Sequence, residues 1–165
     1  MTTTTKFVVR PFKPSDAEAF ARLNLRWINE MFDVEPADEQ QIHHPLETII
    51  SVGGHIAIAE HRGKAIGTGA ILPAQHSPDD GRKWMEIVKM ATDPAAQGMG
   101  VGTAVIANLV AFARDKAADG IWLETNDRLN AATHLYSKAG FEALSSDVIW
   151  DTPYQRCNLQ MTLEL

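Results

Sequence analysis

A turn with three alternate glycines lies between a predicted strand and a predicted helix of this 165-residue chain. The segment reads DPAAQGMGVGT over residues 93–103 and places Gly98, Gly100 and Gly102 at the start of the helix. Glycines let a backbone approach a ligand closely and adopt positive φ, while the free N–H groups at a helix start attract an anion. The turn therefore predicts a seat for a phosphate group that needs no basic side chain.

Two common phosphate-binding motifs do not fit this turn. The dinucleotide fingerprint GxGxxG requires a glycine where Thr103 stands, and the P-loop requires a Gly-Lys-Ser or Gly-Lys-Thr sequence that is absent. The strand before the turn belongs to a predicted antiparallel meander, which argues against a Rossmann domain. A helix-entry turn can also need glycine for steric reasons alone, so the flanking segments decide its meaning.

The flanking segments resemble the GCN5-related N-acetyltransferases, the GNAT family, in order and spacing. Residues 97–102 (QGMGVG) match the family's pyrophosphate loop, Q/R-x-x-G-x-G/A, and residues 135–141 (LYSKAGF) are similar to its LYxxxGF segment. Residues 89–94 resemble its fourth strand, whose splayed backbone pairs with the pantetheine arm of the cofactor. The resemblance covers residues 84–144 and implies one acetyltransferase domain over residues 1–165.

This resemblance implies that acetyl-CoA is the cosubstrate. Many members of the family carry a cofactor-binding asparagine seven residues before the LYxxxGF tyrosine, whereas Leu129 stands there in this chain. The neighbouring amides Asn126 and Asn130 are therefore included among the expected contacts. The residues that we expect to bind the cofactor are Met90, Ala91, Thr92, Gln97, Gly98, Met99, Gly100, Val101, Gly102, Thr103, Asn126, Asn130 and Tyr136.

The resemblance also implies two catalytic residues. Tyr136 corresponds to the tyrosine that protonates the departing CoA thiolate, and a phenol beside the sulfur can act as a general acid. Glu86 corresponds to the base of the histone-acetyltransferase branch, on the strand that feeds the glycine turn. An amine is mostly ammonium at neutral pH, so the reaction needs such a base, or a water path to one, and burial would raise the pKa of a half-buried carboxylate.

Structural alternatives stand beside both catalytic assignments. Tyr136 could pack its ring beneath the sheet. Glu86 could form an ion pair with Lys89 or Arg82, and Glu124 on the next strand is a second candidate for the base.

The residues that bind the amine acceptor, the molecule that receives the acetyl group, are harder to predict. In the resembling family the first two helices and the loop between them shape the acceptor pocket, here residues 29–39. The acids of this stretch could attract a cationic amine, although such runs are commonly a solvated surface. They are Glu30, Asp33, Glu35, Asp38 and Glu39.

Composition limits the partners. The formal net charge of −6 argues against nucleic-acid or anionic-membrane binding, and no stretch approaches the roughly 20 apolar residues of a membrane span. Cys157 is the only cysteine, so no intrachain disulfide can form, which suits a reducing cytoplasm. The polar residues 1–6 do not read as a secretory signal and are expected to fray. The six histidines lack a metal-ligand spacing such as HExxH, so no metal site is expected.

The secondary-structure pattern predicts an α+β protein. The resemblance implies an α/β/α sandwich with the acyl-CoA N-acyltransferase fold, in which a mixed, mostly antiparallel sheet of about six or seven strands is splayed between the fourth and fifth strands and flanked by four helices. Expected strands cover residues 7–12, 55–60, 65–72, 84–92, 121–125, 141–144 and 157–163. Expected helices cover residues 17–31, about 36–51, 101–118 and 129–139, the first with a buried stripe of Phe20, Leu23, Trp27 and Met31.

These features lead to one principal hypothesis and one alternative. The principal hypothesis is an N-acetyltransferase that moves the acetyl group of acetyl-CoA to a primary amine of a small molecule or peptide, by direct attack in a ternary complex. The alternative is a non-catalytic acetyl-CoA-binding sensor or interaction module. A homodimer is a further expectation that rests on the resemblance alone.

Overall fold

The computed structural model describes residues 7–145, 147–148 and 150–165, so the segment 1–6, expected to fray, lies outside the described residues. Seven strands are described: β1 (Val8–Pro11), β2 (His55–His61), β3 (Lys64–Pro73), β4 (Trp84–Thr92), β5 (Gly120–Thr125), β6 (Glu142–Ala143) and β7 (Leu159–Glu164). Four α-helices are described: α1 (Ala17–Met31), α2 (Pro36–His43), α3 (Val101–Asp115) and α4 (Asn130–Lys138). None of these helices is long and apolar enough to cross a membrane.

The strands form one mixed sheet in the order β1-β2-β3-β4-β5-β7-β6. Every neighbouring pair is antiparallel except β4 and β5, which are parallel because α3 carries the chain back across the sheet. The predicted mixed sheet and fold class are thereby confirmed.

Alternating residues of the strands bury two separate cores, one on each face of the sheet. In β2, Ala57 and Ala59 face the core beneath α3, whereas Ile56 and Ile58 face the core that contains Phe20 of α1. Helix α1 and helix α3 therefore cover opposite faces. The structure is the sandwich that the pattern predicted.

Strands β4 and β5 pair over only three residues before they separate. The register joins Trp84 to Gly120, Met85 to Ile121 and Glu86 to Trp122 and then stops, although β4 continues to Thr92. Beyond that point β4 pairs only with β3 and β5 only with β7. The edges of β4 and β5 that face each other are thus open, which confirms the predicted splay.

A bulge in β4 lies in the open part of the sheet. Lys89 has φ +53°, and the register against β3 shifts between Thr68 and Ala70. Val88 packs in the α1 core, Lys89 reaches Asp38 of α2, and Met90 turns to the α3 core. Two consecutive side chains therefore face the side of α1 and α2, which breaks the alternation of the strand.

Two predicted helix boundaries are wrong. The helix expected over about 36–51 ends at His43, and a separate π-helical turn follows at Leu46–Ile50. Pro45 lies between the two segments and has no backbone N–H with which to continue α2. Helix α3 ends at Asp115, three residues early, because Ala117 adopts φ +56° and Ala118 N–H bonds to the Ala113 carbonyl.

The predicted buried stripe of α1 is correct only in part. Phe20 and Leu23 are buried as expected, and Ile28 completes the buried face. Trp27 and Met31 are half-buried, and both line a cavity at the C-terminal end of the helix. Apolar periodicity alone could not distinguish a core residue from a residue of a cavity wall.

Candidate active site

A cavity of about 790 Å³ occupies the splay between β4 and β5. It extends from the glycine turn before α3, along the open edge of β4, to the end of α1 on the other side of the sheet. Residues of α1, β4, β5, α3, α4 and the segment 154–157 line it. The cavity therefore reaches both faces of the sheet at the point where the sheet opens.

The glycine turn forms one end of this cavity. Gly98 and Gly100 have φ +86° and +81°, and Gly100 is the N-cap of α3. The first intrahelical bond runs from Ala104 N–H to the Gly100 carbonyl, so the three N–H groups before it have no helical partner. Open N–H groups at the positive end of a 15-residue helix are suited to an anionic phosphate.

Gly102 has a different role in the turn from Gly98 and Gly100. A Cβ at Gly102 would lie 2.7 Å from Leu135 Cδ2, so α4 packs directly on the start of α3 at this point. No atom lies within 4 Å of a Cβ added at Gly98 or Gly100. Backbone conformation requires glycine at those two positions, whereas helix packing requires it at Gly102.

Tyr136 stands where α4 meets the cavity. It packs edge-on against Phe141 in the α3 core and lines the cavity, with 6% of its surface exposed. Burial raises the pKa of its phenol, so the group stays protonated over the ordinary pH range. The Tyr136 ring packs beneath the sheet and also borders the cavity. The structural interpretation of this residue and the interpretation as a general acid are therefore compatible.

Glu86 and Glu124 form a pair of carboxylates on adjacent strands. Glu86 is paired in register with Trp122, two residues before Glu124, so both side chains lie on the same face of the sheet and both line the cavity. Burial and the neighbouring Glu124 raise the pKa of Glu86 to about 8, while Lys89 partly offsets the shift. The strand pairing therefore creates a site that retains one proton near neutral pH.

Glu124 has no hydrogen bond to either of its buried oxygens within the described chain. Burial raises the pKa of this carboxyl group, and the side chains of Thr152 and Gln160, close enough for weak hydrogen bonds to it, partly oppose that shift. The Gln160 amide already donates to the Trp150 carbonyl and accepts from the Trp150 N–H. Glu124 therefore lines the cavity with two buried carboxylate oxygens that lack a well-formed hydrogen bond.

Glu86 is not part of the ion pairs that the sequence suggested as an alternative. Arg82 pairs with Glu164, and Lys89 pairs with Asp38 at 2.7 Å. With an exposure of 6%, Glu86 is also more deeply buried than the expected half-buried carboxylate.

A buried ionic cluster lies beside the carboxylate pair. Asp38 accepts hydrogen bonds from Lys89 and from both terminal nitrogens of Arg156, and Lys89 Nζ also lies 3.1 Å from the Tyr154 hydroxyl. Glu35 completes the cluster through Arg156. Burial alone would raise the pKa of Asp38, but Arg156 and Lys89 hold it at about 2.

The acids expected to attract an amine are engaged elsewhere. Asp38 and Glu35 belong to the buried cluster, Glu30 pairs with Arg26, and Glu39 lies 3.4 Å from His43. Asp38 has no exposed surface at all. Glu30 and Glu39 are exposed and paired, as in a solvated surface, whereas neither interpretation of this run fits Asp38, which is fully buried.

Most of the residues expected to bind a cofactor border the cavity in the splay. These are Met90, Ala91, Thr92, Gln97, Gly98, Gly100, Val101, Gly102, Thr103, Asn126, Asn130 and Tyr136. Met99 instead lines a smaller neighbouring pocket with Ile66 and Ala96. Asn126 uses both ends of its amide internally, since it donates to the Arg156 carbonyl and accepts from Arg128 N–H.

Sequence reasoning missed Lys89, Arg128, Tyr154 and Arg156, which also line the cavity. A lysine within the otherwise apolar strand segment IVKMA was a usable signal, because a buried lysine needs a partner. The segment 154–157 shows no periodicity, and only the folded chain brings Arg156 to Asp38, 118 residues away.

Comparison with known proteins gives a family and a curated relative. The model of the acetyltransferase (GNAT) family matches residues 19–141. The mycothiol acetyltransferase of Cellulomonas flavigena is 30% identical in an alignment of 155 positions that covers 88% of this chain and 43% of that protein. The chain therefore spans less than half the length of curated relatives such as this one and rat N-acetyltransferase 8F1.

Solved structures show the same fold over nearly the whole chain. A GNAT-family acetyltransferase from Staphylococcus aureus has a TM-score of 0.83 at 16% identity, and the match covers 96% of this chain and 99% of that one. A protein from Salmonella typhimurium, described as an acetyltransferase and solved with its cofactor acetyl-CoA, has a TM-score of 0.75 at 17% identity. That match covers 96% of this chain and 93% of that one.

Proposed function

The chain belongs to the GNAT family of acetyltransferases, and from this premise we propose that it is an acetyl-CoA-dependent N-acetyltransferase. The acceptor is a primary amine of a small molecule or peptide, which attacks the thioester directly in a ternary complex. Residues 1–165 act as one domain of this family. The observation that carries the proposal is a single cavity with the glycine turn at one end and the Glu86–Glu124 pair in its wall.

The geometry of the glycine turn and of β4 fits acetyl-CoA. The open N–H groups at the start of α3 suit the pyrophosphate, and the open edge of β4 offers unpaired backbone groups to the amides of the pantetheine arm. Residues 90–92 and 97–103 are the proposed contacts, with Asn126, Asn130 and Tyr136 beside them. Met99 contributes only its backbone, because its side chain packs in the neighbouring pocket.

The Glu86–Glu124 pair suits an amine that arrives as an ammonium ion. The unpaired oxygens of Glu124 can accept hydrogen bonds from the ammonium group, and Glu86 can take up one of its protons. A base whose pKa is about 8 is matched to the removal of a proton near neutral pH. Glu86 is therefore the proposed base, and the negative charge of Glu124 helps to keep the pKa of Glu86 raised.

The remaining step concerns the leaving group. The amine nitrogen forms a bond to the acetyl carbon, the bond from that carbon to sulfur breaks with its electron pair left on the CoA sulfur, and the second proton of the nitrogen passes to that sulfur to give the CoA thiol. The Tyr136 phenol is protonated and borders the cavity, so it can donate a hydrogen bond or its proton to that sulfur. Its raised pKa favours stabilisation of the thiolate by hydrogen bonding over early proton release.

The experiment measures CoA release with a panel of amines, together with acetyl-CoA binding, for the parent protein, Glu86→Gln and Tyr136→Phe. We expect both variants to bind acetyl-CoA as the parent does and to lose roughly 100-fold or more in kcat for Glu86→Gln and roughly tenfold for Tyr136→Phe. If the parent binds acetyl-CoA and acetylates no amine, the non-catalytic sensor is the better account.

The cytoplasmic location and the homodimer belong to the proposal as well. Size-exclusion chromatography with light scattering tests the dimer directly, since two copies would give twice the chain's 18.2 kDa. A monomer under all conditions would remove that part of the proposal and leave the chemistry unaffected.

A further inference from the structure

Arg128 lies where the cavity opens toward α1. Its guanidinium carbon is 5.2 Å from the centroid of the Phe32 ring, and Phe32 is the residue that ends α1. Since α1 and α3 cover opposite faces of the sheet, Arg128 faces away from the glycine turn. A guanidinium group over an aromatic ring is positioned by cation–π attraction, and its planar fork of N–H groups can bind a planar anion at two points.

The other cations on this side of the cavity are already neutralised. Arg26 pairs with Glu30, while Lys89 and Arg156 share Asp38 and Glu35. No carboxylate of the described residues lies within salt-bridge distance of Arg128, although the residue is exposed at the cavity rim. Lys138 also lines the cavity, but it belongs to the last turn of α4, on the helix that packs against the start of α3.

The charges left unpaired on the acceptor side are therefore of opposite sign. The Glu86–Glu124 pair can bind an ammonium group through its negative charge, and the guanidinium group of Arg128 can bind an anion. We propose that the acceptor is an amine that also carries a carboxylate, an amino acid or a short peptide with a free C-terminus, and that Arg128 binds this carboxylate. The inference rests on the proposed function, since it names the substrate class of the same site.

The separation of the two charged groups suits such a substrate. Arg128 follows Glu124 by four residues, so their Cα atoms are at most about 14 Å apart even in an extended chain. A turn shortens this span, because Leu129 N–H bonds to the Asn126 carbonyl and Arg128 N–H bonds to Asn126 Oδ1. Both residues line the same cavity, so an amine and a carboxylate a few bonds apart can lie near both groups at once.

The test compares matched acceptors that differ only in the carboxylate. Glycine, L-phenylalanine and glycyl-L-phenylalanine are each paired with the corresponding C-terminal amide, and spermidine and tryptamine represent amines without a carboxylate. The protein variants are Arg128→Gln, Arg128→Lys and, as a control with the same loss of charge outside both pockets, Arg114→Gln on α3. The readout is kcat/KM for each acceptor, with KM and kcat resolved separately.

We expect the parent protein to prefer at least one acid over its amide by roughly tenfold to hundredfold, the range that a charge-assisted hydrogen bond supports. Arg128→Gln should reduce this ratio toward one, chiefly by raising KM for the acid, while activity toward the amide persists. Arg128→Lys should retain part of the preference, because the charge remains and the planar fork is lost. Arg114→Gln should behave as the parent does.

Three outcomes would overturn the inference. One is an equal or better rate with the amides than with the acids, another is an unchanged ratio in Arg128→Gln, and the third is acetylation confined to spermidine or tryptamine. In each of these cases the acetyltransferase function still stands. If acetyl-CoA binds and no amine of any kind is acetylated, the proposed function falls and the inference falls with it.

Discussion

Lys89 Nζ lies 2.7 Å from Asp38 Oδ1, and this buried contact joins the bulge of β4 to helix α2. The bulge lies in the part of β4 along which the cofactor is proposed to lie, and α2 supplies Asp38 of the buried cluster beside the Glu86–Glu124 pair. Lys89 holds a left-handed backbone conformation that costs about 1–2 kcal/mol in a residue other than glycine. The ion pair fixes the direction in which the Lys89 side chain leaves the strand.

Removal of the carboxylate from this cluster should destabilise the fold strongly. In Asp38→Asn, Lys89 and Arg156 lose the anion between them while both stay buried, a situation that costs about 3–5 kcal/mol. Urea denaturation measures this loss in the free energy of unfolding. Arg26→Gln, which breaks an exposed pair on α1, should cost no more than about 0.5 kcal/mol. Equal, small losses in both variants would show that the buried cluster does not hold the bulge.

The glycine turn should respond to substitution through binding. Gly100→Ala adds no steric contact within 4 Å, but it places a residue with a side chain in the left-handed conformation at the N-cap of α3. The turn should therefore deform, and acetyl-CoA binding should weaken by roughly tenfold or more. Gly81→Ala is the matched control, since Gly81 has φ +75°, no neighbour within 4 Å and lies outside both pockets. Isothermal titration should show a normal Kd for Gly81→Ala, and a normal Kd for both variants would contradict the assigned phosphate seat.

Glu86 should make stability depend on pH. Its pKa is about 8 in the folded chain and ordinary in the unfolded chain, so its favourable contribution is complete below about pH 4.5 and is lost as the pH rises through 8. Between pH 5 and 9 the free energy of unfolding of the parent should therefore fall by ~4 kcal/mol more than that of Glu86→Gln. Urea denaturation at both pH values measures this, with the exposed Glu142→Gln as the control. Parallel losses in the parent and Glu86→Gln would exclude a protonated, buried Glu86.

Glu124 should set the pH at which the base becomes active. The groups that act on Glu86 are Glu124 from β5, which raises its pKa, and Lys89 of the β4 bulge, which lowers it, with Tyr154 nearby. The rate kcat/KM should rise with pH through a midpoint near 8 in the parent and through a lower midpoint in Glu124→Gln, with the same acceptor in both. An unchanged or higher midpoint would contradict the carboxylate pair.

The sequence predicted the parts of the fold that depend on local pattern. The strands, the glycine turn and the boundary of α1 follow from alternation, positive-φ glycines and apolar periodicity, which a single segment carries by itself. The resemblance around residues 84–144 added the splay, which the three-residue pairing of β4 and β5 confirms. Pro45 was visible and could have ended the second helix at the right place.

The rest could not be predicted because it depends on contacts between distant segments. Asp38 looked like one acid of a surface run, and only the arrival of Arg156 and Lys89 in the fold buries it. Arg128 lies in a short polar loop, and its role depends on a ring at the end of α1, 96 positions earlier. Local patterns do not specify which charged side chains lose their solvent and which keep it.

The most direct test of the account is the melting temperature of the protein with and without saturating acetyl-CoA, with NAD as the control ligand. A ligand at about 100 times its Kd stabilises the folded state by roughly 2.7 kcal/mol, which for a domain of this size raises Tm by roughly 5–10 °C. The account predicts that shift with acetyl-CoA and none with NAD. No shift with acetyl-CoA at any concentration would contradict the central claim that the splay between β4 and β5 is an acetyl-CoA site.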